Sequence, residues 1–145
     1  MSSYSDSFNR PIQINMTNNI SDSSGLETIP ESPASNKVIV LPGHYRNSTG
    51  TKTIQFQGGV SPIFQPIVAY SRIDLLCLDD SGMFVIIQGV ENINPQPQPY
   101  PLNKLTIAKI KITEKQNVII DNDDIEDIRD ILGPSSFIIN GGTFY

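Results

Sequence analysis

The feature that most constrains this chain is a hairpin whose two strands are apolar on both faces. Residues 72–78 read Arg-Ile-Asp-Leu-Leu-Cys-Leu, and residues 83–88 read Met-Phe-Val-Ile-Ile-Gln. The segment between them, 79–82, is Asp-Asp-Ser-Gly, which supplies the backbone angles that a tight turn needs. Because side chains alternate between the faces of a strand, both faces of this hairpin must be covered. With little helix predicted elsewhere, we expect the second cover to be another sheet or a neighbouring subunit.

The sequence around the hairpin follows the same pattern of short β-type runs separated by turn residues. Further strands are predicted at 38–41, 53–57, 104–112 and 116–120. In 104–112 the apolar residues change face, which indicates a β-bulge near Ala108. Asn94 to Pro101 has proline at alternate positions, and this extended segment suits a crossing from one sheet edge to another. Residues 123–132 show apolar residues at helical spacing and predict one short helix.

These elements predict an all-β fold, a mainly antiparallel sandwich or barrel-like sheet with one short helix. The chain has 145 residues, enough for one such domain, which we place at 37–133. Residues 1–36 are rich in Ser and Asn and are predicted to be an extended or disordered N-terminal arm. Residues 134–145 are expected to form a C-terminal strand or hook.

The apolar residues of the arm are too dispersed to build a core, yet too numerous for a purely solvated tail. We expect the arm to become ordered on a partner, with a disordered tail as the alternative. The predicted docking residues are Phe8, Ile12, Ile14, Ile20, Leu26 and Ile29.

Charge and composition speak against several classes of function. The net charge is -5, so we expect no basic stripe for nucleic acid and no basic patch for a membrane surface. The first residues lack the features of a signal peptide, and the apolar runs are too short to span a membrane. Cys77, the single cysteine, lies in an apolar run and is predicted to be a small buried hydrophobe.

Residues that could carry catalysis are few and isolated. His44 is the only histidine, and it has no second His or Cys with which to form a usual zinc site. The carboxylates of 121–130 do not follow calcium-loop spacing, so we interpret them as helix-capping residues, with weak cation binding as the alternative. We therefore expect no catalytic residue, no metal site and no cofactor. The chain is predicted not to be an enzyme, and a small hydrolase is a disfavoured alternative.

Several short motifs follow one another in a recurrent order. They are Pro42-Gly43-His44-Tyr45, Arg72-Ile73-Asp74, Asp79-Asp80-Ser81-Gly82, Gly89, the prolines of 95–101, the strand 105–112 and Asp127-Ile128-Arg129. Their order over residues 38–132 resembles a small β domain of tailed-bacteriophage virion appendage proteins, of the tail-fibre, baseplate and head-fibre type. The resemblance implies a non-enzymatic virion protein that is assembled in the host bacterial cytoplasm. It also implies other virion proteins as partners and, since phage fibres are commonly threefold, a homotrimer.

The expected function is that of an adaptor, decoration or fibre-base subunit, which docks on the particle through its N-terminal arm. The attachment site could be the capsid, collar, baseplate or fibre. The alternative is a receptor-binding or carbohydrate-binding module of a phage appendage. Such modules usually expose aromatic platforms, and the five tyrosines of this chain are scattered along the sequence.

Two predictions concern individual side chains of the hairpin. Asp74 stands in mid-strand beside apolar neighbours, where an unpaired carboxylate is costly. We predict a structural ion pair between Asp74 and Arg129, with Arg72 as the alternative partner. The oligomer interface is predicted at Leu76, Leu78, Phe84 and Ile86.

Overall fold

The computed structural model describes residues 24–128, and Gly25–Ile128 forms one compact unit. Ten strands and one short 3-10 helix, Asn122–Asp124, are found in this part of the chain. The strands are β1 Ser24–Gly25, β2 Thr28–Pro30, β3 Val38–Val40, β4 Gly43–Arg46, β5 Thr53–Phe56, β6 Gly59–Val60, β7 Arg72–Leu78, β8 Phe84–Ile87, β9 Leu105–Ile112 and β10 Ile125–Asp127.

The strands are arranged in three sheets. One has four strands in the order β10-β9-β7-β8, and the other two have three strands each, in the orders β1-β4-β5 and β2-β3-β6. The pairings within β7–β10, β2-β3-β6 and β4-β5 are antiparallel. The predicted all-β, mainly antiparallel fold class is therefore confirmed.

Side chains from all three sheets meet in one hydrophobic core. Its buried members are Leu26, Val38, Val40, Tyr45, Phe56, Phe64, Ile67, Leu76, Leu78, Ile107, Ala108, Ile110, Ile112, Val118 and Ile120. Phe56 of β5 meets Phe84 of β8 edge to face, with 5.5 Å between ring centroids. Burying one large aliphatic side chain stabilises a fold by roughly 1.5–3 kcal/mol, so this shared core holds the sheets together.

The predicted hairpin is present as β7 and β8. Asp79 N donates to the Met83 carbonyl at 3.0 Å, and Gly82 N donates to the Asp79 carbonyl at 3.1 Å. Gly82 has φ +80°, a backbone angle that glycine adopts more readily than residues with a side chain. The Asp79 carboxylate accepts from the N–H groups of Met83 at 3.0 Å and Ser81 at 2.8 Å. These bonds to Met83 and Ser81 lower the pKa of Asp79, so its charged form holds the turn.

Both faces of β7 are buried, as the two-sided apolar pattern predicts. Leu76 and Leu78 belong to the core, and Leu75 and Cys77, on the opposite face, are also 0% exposed. No neighbouring subunit is therefore required to cover this strand. This corrects the placement of Leu76 and Leu78 at an oligomer interface, because both side chains are enclosed within their own chain.

The predicted bulge lies in β9. The register against β7 shifts between Thr106 and Ala108, where Cys77 pairs with Thr106 and Leu76 pairs with Ala108. The extra residue lets Ile107 and Ile110 both enter the core, which strict alternation would prevent.

The proline-rich segment crosses from the edge strand β8 to the inner strand β9, whereas a crossing from one sheet edge to another was predicted. β8 lies on one side of β7 and β9 on the other, so the chain from Gln88 to Lys104 must pass from one side to the other. Residues 95–101 of this segment belong to no helix or strand, as expected of an extended crossing.

The helix predicted at 123–132 is wrong over the described residues. A single 3-10 turn, capped by the Asp121 side chain, leads directly into β10, which pairs with β9 through Ala108, Lys109 and Ile110. A helix of this length forms marginally by itself, and pairing with β9 offers its backbone a better alternative. Residues 129–132 lie outside the described part of the chain.

Two further stretches differ from the sequence-based predictions. Residues 116–120 form no strand, although Val118 and Ile120 are buried in the core and Ile120 N donates to the Ser35 carbonyl at 2.8 Å. The strand predicted at 38–41 ends at Val40, before Pro42-Gly43, and a further strand that was not predicted, β4, begins at Gly43.

The compact unit begins earlier than the boundary predicted at residue 37. Leu26 is 1% exposed in the core, and β2 pairs with β3 through Thr28, Ile29 and Pro30. Apolar residues of 25–36 thus find partners on β3 that local sequence could not reveal. Residues 1–23 and 134–145, where the arm and the hook were predicted, lie outside the described residues.

The chain at Gly89, just after β8, lies very close to the backbone of β7. A Cβ added at Gly89 would lie 2.1 Å from the Ile73 carbonyl oxygen, whereas a Cβ added at Gly59 would meet only the Phe84 ring at 3.6 Å. We expect Gly89→Ala to lower the free energy of unfolding by about 1–3 kcal/mol through overpacking. Gly59→Ala should change it by less than about 1 kcal/mol. Urea denaturation followed by circular dichroism measures both, and equal stability of the two variants would contradict this close approach.

Candidate functional site

A buried ion pair lies at the start of β7. Arg72 is 1% exposed and Asp74 is 0% exposed. Arg72 Nε donates to Asp74 Oδ1 at 2.8 Å, and Nη2 donates to Oδ2 at 3.2 Å, so the two side chains form a bidentate pair. In the structure the partner of Asp74 is Arg72, the alternative in the sequence-based prediction. Arg129 lies outside the described residues.

The same pair binds the backbone of two loops. Arg72 Nη1 donates to the Pro66 carbonyl at 3.1 Å, and Nη2 also donates to the Gln65 carbonyl. Gly89 N donates to Asp74 Oδ1 at 2.9 Å. Loss of Arg72 would leave the Pro66 and Gln65 carbonyls without this donor, and loss of Asp74 would leave the Gly89 N–H without its acceptor. The pair therefore fixes the loop before β7 and the loop after β8 to the sheet.

Glu91 joins these two loops at the surface. Its carboxylate accepts from the N–H groups of Val68 at 2.8 Å, Ala69 at 2.8 Å and Tyr70 at 3.1 Å. Asn92 N adds a bond to the Ser71 carbonyl at 2.9 Å. The N–H groups of Ala69, Val68 and Tyr70, with a smaller contribution from the Arg72 charge, lower the pKa of Glu91. Glu91 is thus ionised when it holds the loops together.

The joined loops expose large apolar side chains. Val68 is 82% exposed, Tyr70 51%, Val90 64% and Ile93 74%. We call these four residues the loop surface. Exposed apolar side chains are ordinary when single, but these four lie on two loops that Glu91 joins. The Glu91 carboxylate binds the backbone of these loops at the surface, and the buried ion pair binds it in the interior. The loops therefore lose little conformational entropy when a partner binds.

A second set of contacts holds the hairpin turn to the β4–β5 hairpin. The Tyr45 hydroxyl donates to the Asp79 carbonyl at 2.6 Å. Ser48 donates to the Asp80 carboxylate from N at 2.7 Å and from Oγ at 2.6 Å. Burial, with the nearby charges of Asp79 and Asp80, raises the pKa of Tyr45 to about 12, so its hydroxyl remains a donor.

The residues that drew attention in the sequence are dispersed in the structure. His44 is half-buried in β4. Cys77 is completely buried, with Sγ 3.4 Å from Thr106 Oγ1, and burial raises the pKa of its thiol. Leu26 is in the core, and Ile29 is half-buried opposite Ile39, so Leu26 is not available for docking. The other predicted docking residues lie outside the described part: Phe8, Ile12, Ile14 and Ile20.

The acidic segment begins with reciprocal capping contacts. Asp121 Oδ1 accepts from Asp123 N at 3.0 Å, and Asp124 Oδ2 accepts from Asp121 N at 3.1 Å. Partial burial, together with the Asp121 charge, raises the pKa of Asp124. A pocket of about 160 Å³ lies beside this turn and is lined by Ile73, Lys109, Lys111, Asp123, Asp124 and Glu126. Within residues 24–128, no group of three His, Cys, Asp or Glu side chains is placed to hold a metal ion.

Comparison of the chain with protein-family models, with curated proteins and with solved structures gives no match. In the described part of the chain, no helix has the length and apolar character needed to cross a membrane.

Sequence reasoning missed Glu91 and the role of Tyr45. Glu91 lies 21 to 23 residues from the three N–H groups it binds, and no local pattern links segments so far apart. The one available signal was the setting of Glu91, a lone carboxylate between Val90 and Ile93. Tyr45 stood in a recognised motif, but its partner on the Asp79 backbone depends on the packing of two hairpins.

Removal of the buried carboxylate should be strongly destabilising. We expect Asp74→Ala to lower the free energy of unfolding by about 3–5 kcal/mol, because Arg72 would keep a buried, unpaired charge. Asp80→Ala, which removes an exposed carboxylate from the Ser48 contact, is the control and should cost no more than about 1 kcal/mol. Chemical denaturation measures both. An Asp74→Ala chain that unfolds at the wild-type denaturant concentration would rule out a stabilising pair.

The bonds to Glu91 should make stability depend on pH in a defined direction. Its pKa is lowered on folding from 4.5, so the stabilisation is complete above 4.5 and is lost as the pH falls through the lowered value. Glu91→Gln should therefore melt below the wild type at pH 7, and the difference should shrink on acidification below 4.5. Thermal melts of both chains across this range measure it. A difference that stays constant with pH would contradict the role of the ionised carboxylate.

Proposed function

We propose that this chain is a non-enzymatic structural protein of a bacteriophage virion, an adaptor, decoration or fibre-base subunit. Its partners are other virion proteins, and it acts in the particle that it helps to assemble. The proposal rests on the resemblance of its motifs to a virion appendage domain and on the use that the fold makes of those motifs.

The observation that carries the proposal is that the polar motif residues brace the backbone. Arg72 and Asp74 hold two loops, Tyr45 and Asp79 hold two hairpins together, and Gly89 allows close approach to β7. Groups engaged in this way support a rigid scaffold that presents surfaces to other proteins. A structural subunit has this requirement, because it must keep its shape while its neighbours assemble on it.

Two parts of the chain are proposed to contact other virion proteins. The first is the loop surface of Val68, Tyr70, Val90 and Ile93, whose apolar side chains stand on a braced backbone. The second is the N-terminal arm, whose predicted docking residues no longer include the buried Leu26. An arm of this kind loses conformational entropy only when a partner accepts it.

The direct experiment is localisation of the chain in particles made from the genome that encodes it. A fused tag should label a defined, repeated position in a density map of the intact virion, and purified particles should contain the chain at a fixed copy number. Particles that lack the chain would overturn the proposal. Specific retention by a glycan array would instead favour the carbohydrate-binding alternative.

A full-length variant tests the arm separately. Phe8, Ile12, Ile14 and Ile20 are replaced by serine, and the control replaces the polar neighbours Asn9, Gln13, Asn15 and Asn19 by serine. We expect the first variant to fold, with an unchanged circular dichroism spectrum, and to be lost from purified particles, since its apolar anchors are gone. The control should be incorporated normally. Equal incorporation of both variants would place docking on the folded unit, for which Val68→Ser with Ile93→Ser is the matching test.

A further inference from the structure

The edge strands of the described sheets differ in how they are protected against pairing with another chain. β10 carries Glu126 and Asp127, β2 contains Pro30, and β1 and β6 have two residues each. β5 exposes the polar side chains of Thr53 and Gln55. β8, with the sequence Phe-Val-Ile-Ile, has neither a charge nor a proline. Charged residues, prolines and short length are the usual means of blunting an edge, and β8 has only its short length.

The hydrogen-bond pattern of the hairpin leaves one side of β8 open. Asp79 N bonds to the Met83 carbonyl, and residues opposite each other in an antiparallel pair alternate between bonded and non-bonded. Val85 and Ile87 therefore bond to β7, whereas the N–H and C=O groups of Phe84 and Ile86 point away from it. Within residues 24–128, β7 is the only strand paired with β8, and no other backbone bond involves Phe84 or Ile86.

In place of the homotrimer that the resemblance implies, we propose that β8 pairs with β8 of a second copy of this chain, antiparallel, across a two-fold axis at Val85. Phe84 of each copy then lies opposite Ile86 of the other copy. Each such pair exchanges two backbone hydrogen bonds, so the contact has about four. The four-stranded sheets of the two copies become one continuous sheet. The side chains of Phe84 and Ile86 pack against their own core, and each also becomes a cross-strand neighbour of the residue opposite it in the second copy.

β8 is complementary to itself, which favours a second copy of this chain over a different protein. In this register Val85 faces Val85, and Met83, which is 63% exposed, faces Ile87 of the other copy. Apolar cross-strand pairs stabilise such a ladder, and residues 83–88 contain no charge that would repel its own copy. The contact is small, so we expect a dimer that dissociates on dilution.

Charge substitution at the axis tests the pairing. Val85 of the two copies forms a non-hydrogen-bonded pair, with Cα atoms about 4.5 Å apart, so like charges there repel. Light scattering coupled to size exclusion should give the wild type twice the mass of 16.0 kDa at high concentration. V85K and V85E should each be monomeric, and their 1:1 mixture should again be dimeric. The control T53K, on the edge strand β5, should dimerise like the wild type.

Amide hydrogen exchange gives a second, local readout that does not require a variant. The amides of Phe84 and Ile86 should be protected at high concentration and lose that protection on dilution, whereas those of Val85 and Ile87 stay protected throughout. A wild type that is monomeric at every concentration, a trimer, a dimeric V85K or a mixture that stays monomeric would overturn the proposal. These results are independent of the tag-based localisation in virions, so the pairing and the virion role can fail separately.

Discussion

The buried pair of Arg72 and Asp74 is the interaction on which the rest of the described unit depends. Two opposite charges inside an apolar core are tolerated only when their remaining hydrogen-bonding capacity is filled, and here backbone groups fill it. Gln65 and Pro66 bind the guanidinium, and Gly89 binds the carboxylate. The two charges thereby fix the positions of two loops relative to the sheet. Apolar packing alone does not impose this constraint.

That constraint extends outward to the surface. Because the buried pair fixes the ends of the loops, the Glu91 carboxylate can accept hydrogen bonds from three successive N–H groups of the neighbouring loop. The apolar residues of the loop surface then belong to a backbone that both Glu91 and the buried ion pair hold in place. A protein that must present apolar groups to neighbours gains from this arrangement, because rigid loops lose little entropy on association. The edge of β8 that is unpaired within residues 24–128 belongs to the same framework, since Gly89 and Asp74 fix the end of this strand.

Much of the sheet could be predicted because its signals are local. The hairpin 72–88, its turn and the bulge in β9 follow from alternation and turn residues within a few positions of one another. The elements that were missed depend on contacts between distant segments. β2 forms because it pairs with β3. The segment after the 3-10 turn has isoleucines at helical spacing, yet it forms a strand because it pairs with β9. The loop surface was missed because Glu91 meets its partners only in the folded chain, whereas the need of Asp74 for a partner was clear from its mid-strand position.

The role of the Arg72–Asp74 pair in holding both loops can be tested without any partner. Amide exchange of Asp74→Ala, which removes both carboxylate oxygens, is compared with that of the wild type under native conditions. We expect faster exchange at Gly89 and at Val68, Ala69 and Tyr70. Exchange at Ser48 and Ser81 should not change, because their bonds belong to the separate contacts of the hairpin turn. Unchanged exchange at Gly89 and at the three amides bound by Glu91 would contradict this role, because the loops would then be held without the buried pair.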